Sequence, residues 1–157
     1  MLTQRHRNGI LAFTLGFTIN FFGDRLLGVD IELFHGLSTF GFLWFLDVFV
    51  LPFFVGFCVA LVFGLGGKWL CYFPPFVVRM LSYYLFSAGY WPIPPHHHLM
   101  PMGWWGFFVI LAIESSAIGG ILGEVYVKGT YGRRPQEMLY KKTGQPQPEA
   151  KEAENEN

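Results

Sequence analysis

Apolar residues run together in four stretches, near 9–27, 39–63, 69–90 and 104–127, with charges, glycines and prolines gathered between them. A helix needs about 20 predominantly apolar residues to cross a bilayer. The pattern therefore predicts an all-α, polytopic integral membrane protein of about four transmembrane helices. The second stretch holds a single charge, Asp47, and the last holds two, Glu114 and Glu124. The first reaches spanning length by taking in Asp24 and Arg25, and the third carries Pro74, Pro75 and Arg79. By hydropathy alone, the third fits a helix lying flat at the interface as well as it fits a span.

Charge placement favours the span. With four passes, the basic residues near the N-terminus, Lys68 and those of 128–142 share one side, leaving Arg25 as the basic residue opposite. Short cytoplasmic flanks collect Lys and Arg, so both termini are expected in the cytoplasm, with a bacterial inner membrane as the setting. Trp69, Tyr72 and Tyr126 then mark the inner interface, and Tyr90, Trp91, Trp104 and Trp105 the outer one. Between them, the first outer loop (23–38) mixes apolar residues with Asp24, Asp30 and Glu32, which suggests a short interfacial helix. The second (92–103) is stiffened by Pro92, Pro94, Pro95 and Pro101. Residues 129–157 form a polar cytoplasmic tail, expected to be disordered beyond 143.

Composition narrows the function classes. Hydrophobic residues make up 52% of the chain and charged ones 14%, against about 25% charged in an average soluble domain. Eleven basic residues balance eleven acidic ones, so no basic surface is available for a nucleic acid. Two cysteines, Cys58 and Cys71, cannot build a disulfide framework or a four-cysteine zinc site.

Ionisable residues inside a span cost about 2.5–3.5 kcal/mol at the centre on insertion scales, so Asp47, Arg79 and Glu114 are candidate functional groups. Glu114 sits near the middle of the last span. On that helix Ser116, Gly119, Gly120 and Gly123, with Ala112, form a stripe of small residues suited to close helix packing. At about 100° per residue the stripe is centred almost opposite Glu114, which predicts a last helix contacted on two sides. Glu124 is expected at the inner interface, near headgroups or Lys128. Pro52 deprives the Val48 carbonyl of its helical donor one turn from Asp47, a break that suits a kink or a polar pocket. Arg79 is expected to pair with Asp47 or Glu114, or to snorkel to a surface if its segment is tilted. Asn20 is a further candidate for an interhelical hydrogen bond.

The second outer loop holds His96, His97, His98, Met100 and Met102, and His35 lies in the other loop on that side. Imidazole and thioether together make a sensible copper ligand set, and His35 with one of His96, His97 or His98 would suit haem iron. Against this, consecutive histidines on a stiff turn converge poorly on one ion. No phosphate loop, zincin pair or Cys-x-x-Cys points to catalysis.

The reading that absorbs most of these features is an accessory or scaffolding subunit of a larger membrane complex, in contact with lipid and other membrane subunits. The alternatives are a copper- or haem-binding redox protein at the outer face, and a small ion- or proton-coupled transporter working through Asp47, Arg79 and Glu114.

Overall fold

The computed structural model describes residues 4–131, so the polar tail beyond 131 lies outside the described residues. Five helices account for most of the chain: α1 (Gln4–Leu27), α2 (Phe42–Phe63), α3 (Gly67–Leu70), α4 (Phe73–Ser87) and α5 (Met102–Tyr131). Three are long and apolar enough to cross a membrane, namely Gln4–Leu27, Phe42–Phe63 and Met102–Gly129. Large apolar side chains such as Ile10, Phe22, Phe54 and Ile110 are more than half exposed, the surface a bilayer would cover.

Successive long helices run up and down, which leaves α2 and α5 side by side and parallel. Gly16 of α1 meets Val59 of α2, and Gly23 meets Leu51, so the two run in opposite directions. Gly56 of α2 faces Ser116 of α5, while Trp44 stacks edge-on against Phe108. The third apolar stretch is made of two pieces. Short α3 sits level with Glu124, whose Oε1 accepts the Lys68 backbone N–H at 3.0 Å. From there α4 climbs past Ser116, whose hydroxyl donates to the Cys71 carbonyl at 2.8 Å, to Tyr83, which packs on Trp105. The stretch expected as one span at 69–90 is thus a 15-residue helix preceded by a break. Pro74 and Pro75 explain where it restarts, because the first helical turn is the one place where proline's missing N–H is not needed.

Two further expectations change. The loop between α1 and α2 contains no interfacial α-helix. Gly28, with φ of 64°, ends α1, and the chain forms strand β1 (Leu33–Phe34) and a single 3-10 turn at Leu37–Thr39. Strand β1 pairs antiparallel with β2 (His98–Leu99), Leu33 opposite Leu99, and the Met100 N–H donates to the Glu32 carbonyl at 2.8 Å. This clasp joins the two loops at what is called below the loop end of the bundle. Glu124, expected among headgroups, is instead 8% exposed and caps the Lys68 N–H.

Candidate functional site

The small residues of α5 allow its backbone to touch α2 and the α3–α4 junction. A Cβ on Gly119 would collide with the Phe53 carbonyl, and one on Gly56 with the Ser116 carbonyl. At Gly123 a Cβ would come within 2.7 Å of the Ala60 side chain, and at Gly120 within 2.6 Å of Cys71 Sγ. Close approach of this kind is the main route to helix association where lipid removes the hydrophobic drive.

Near the loop end the bundle buries a charged cluster. In α2, Pro52 has no N–H and its ring crowds the carbonyl one turn earlier. The helix answers with one turn of π-helix at Leu46–Val50, in which the Leu51 N–H reaches back to the Leu46 carbonyl. Such a turn widens the helix and re-aims its side chains, and Asp47, within it, is fully buried. From α4, Arg79 Nη2 donates to Asp47 Oδ2 at 2.9 Å and to Asp24 Oδ1 of α1 at 2.8 Å. Glu32, just before β1, brings Oε1 to 3.7 Å from Arg79 Nη1, close enough for attraction and too long for a hydrogen bond. One guanidinium thus faces three carboxylates drawn from two helices and a loop.

This cluster leaves polar atoms unsatisfied. Asp47 Oδ1, both Glu32 carboxylate oxygens, Arg79 Nε and both amide atoms of Asn20 are buried without a hydrogen-bond partner. Asn20 precedes Asp24 by one helical turn, and Ala12, Gly16, Asn20 and Asp24 make up the buried stripe of α1. That spacing of four is the available signal for Asp24, which sequence reading places in the first outer loop. Nothing comparable in the local sequence marks Glu32.

Burial pushes the Glu32 carboxyl up to about 7, against the pull of Arg79, which favours the ionised form. Asp30 is also raised, by burial first, while Arg25, Arg79 and His97 oppose the shift. A cavity of about 410 Å³ opens beside this loop and is lined by Asp30, His35, Thr39, Trp44 and His97 among others.

The histidines and methionines do not gather. His35 and His97 approach, ring centroids 4.5 Å apart, but His35 Nδ1 is engaged with the Thr39 hydroxyl and His97 Nδ1 with the Pro95 carbonyl. His96 and His98 are exposed, Met100 is packed in the core with Ile31 and Trp44, and Met102 is exposed. Among the described residues, no group of three or more His, Cys, Asp or Glu is placed to hold a metal ion.

Glu114 stands apart from Arg79. It is exposed on α5, away from the glycine face, and among the described residues its carboxylate has no partner. Twelve residues separate it from Met102 and fifteen from Gly129, which puts it about 18 Å from one end of the apolar segment and about 22 Å from the other. No family model, curated protein or solved structure matches the chain.

Proposed function

We propose that this protein is an accessory integral membrane subunit that seats a second membrane protein on the uncovered face of α5. The observation that carries the reading is Glu114. A carboxylate in the middle of an apolar segment belongs against protein or water, because hydrocarbon offers it no hydrogen bond. Around it, Phe107, Leu111, Ile118, Ile121 and Val125 complete a row spaced alternately by four and three residues. That repeat is the seam of a left-handed helix pair, and a polar group in such a seam fixes partner and register. The occupant this chemistry fits is a transmembrane helix offering an N–H donor or a cation level with Glu114. In this reading the chain makes four passes with both termini cytoplasmic, and the loop end faces outward.

Native mass spectrometry of the chain, purified from its own membranes in mild detergent, tests it. The expected result is a stoichiometric second polypeptide that a photocrosslinker at Ile118 captures. A lone chain, or cross-links only to a second copy, would overturn the subunit reading. For orientation, a cysteine at exposed His98, in a chain with Cys58 and Cys71 replaced, should label only from outside.

A further inference from the structure

The Arg79 cluster does work that a partner-binding face does not require. If all four side chains are ionised, the site carries an excess of two negative charges in a region where Arg79, Glu32 and Asp47 are each no more than 1% exposed. Like charges held together at low dielectric cannot all stay ionised, and the usual outcome is that one carboxylate keeps a proton. Hydrogen bonding singles out which. Asp24 and Asp47 each accept a short bond from Arg79, while neither oxygen of Glu32 accepts any. Glu32 is therefore the carboxylate that Arg79 holds least closely.

A second observation is independent of the acids. The Asn20 side chain is fully buried with neither its N–H nor its carbonyl oxygen paired, one turn from Asp24 on the same buried face. Orphaned donors and acceptors together, in one buried region, mark a place for bound water.

We propose that Glu32 is a proton-binding group in a hydrated buried site formed with Asn20, Asp24, Asp47 and Arg79, and that it exchanges its proton with water at the loop end. The step is a transfer from hydronium: the Glu32 carboxylate takes the proton, one water molecule is released, and the cluster's excess charge falls by one. The charged groups facing Glu32 are Asp24 from α1, Asp30 from its own loop, Asp47 from α2 and Arg79 from α4. From the second loop, the Met100 N–H donates to the Glu32 backbone carbonyl. Asp30 lines the loop-end cavity and lies within electrostatic reach of both Arg79 and Asp47, which gives the proton a way in.

Infrared difference spectroscopy on the full chain in proteoliposomes reads this directly. On lowering the pH from about 9 to about 5, a range that brackets neutrality, a carboxylic-acid C=O band should grow and should downshift in deuterium oxide. Glutamate carrying carbon-13 at its side-chain carboxyl should move the band, labelled aspartate should not, and Glu114→Gln should leave it in place. Glu32→Gln should abolish it. The isotope result assigns the band to glutamate, and where Glu32→Gln fails to fold, Glu32→Asp decides the matter, because in that variant alone the band should move with labelled aspartate. A wild-type band that moves with aspartate labelling, or that does not change over this range, overturns the proposal. So does a band that follows the pH on the terminal side alone when the two sides of the vesicle are clamped separately.

Discussion

At Arg79 the consequences of burial are most direct. Its guanidinium joins α1, α2 and the β1 loop to α4, and removing it leaves three buried carboxylates facing one another. Breaking a buried ionic group by deleting one partner costs about 3–5 kcal/mol. Arg79→Met should therefore lower thermal stability in detergent by that order, and adding Asp24→Asn and Asp47→Asn should restore part of it. A triple variant no more stable than Arg79→Met would argue against the ionic account. Glu32 makes a prediction of its own. Its folded value of about 7 lies above its ordinary 4.5, so between these values the folded chain binds more protons than the unfolded one. Stability from this group is then full below about 4.5 and lost as pH rises through about 7, by at most on the order of 3 kcal/mol. Melting curves of the wild-type chain should fall across that window, and those of Glu32→Gln should fall less steeply, keeping only the part that other raised carboxyls such as Asp30 contribute.

Among the elements, the glycine contacts between α2 and α5 make separable predictions. Gly119→Ala and Gly56→Ala each drive a methyl group into a carbonyl of the facing helix. Overpacking typically costs about 1–3 kcal/mol, so both should lower the melting temperature measurably. Gly106→Ala, on the same α5 but with nothing within 4 Å, should not. Equal effects at all three positions would mean that the contacts contribute little. The elements also show what can be read from a sequence of this kind. Long apolar runs reveal α1, α2 and α5 because length and hydropathy are local properties, and the small residues of α5 stand out by spacing alone. The break before α4 and the clasp of β1 on β2 do not stand out, since each depends on residues far away, such as Glu124 for the Lys68 N–H and Met100 for the Glu32 carbonyl. The site shows the same division. Sequence reading offered Arg79 either Asp47 or Glu114, and the structure supplies Asp47 and Asp24. Choosing between them needs the depth at which side chains meet, which a one-residue change in helix phase decides; the π turn at Pro52 is such a change.

For the whole molecule, Glu114 and the Arg79 cluster carry different expectations. Glu114→Leu should reduce retention of the proposed partner in mild detergent at least tenfold, while Glu114→Gln, which keeps an acceptor oxygen, should retain most of it. Pull-down ratios against the wild-type chain measure this. A Leu variant that holds its partner as well as the wild type would exclude Glu114 from the contact. Neither change should alter the melting slope assigned to Glu32, because Glu114 is exposed on α5 while Glu32 is buried beside Arg79 at the loop end. The last helix therefore has two roles, with glycines turned to α2 and the α3–α4 junction, and a carboxylate turned away from them.

The order of the cluster along the chain also bears on how the protein is made. Asp24 precedes Arg79 by 55 residues and Asp47 precedes it by 32. Both acids are therefore translated before the base that will neutralise them. A hairpin of α1 and α2 alone carries Asp24 and Asp47 without the arginine that pairs with them in the folded chain. Only the arrival of Arg79 completes the cluster, so a chain ending short of it holds a hairpin whose two acids lack the cation they meet in the full fold.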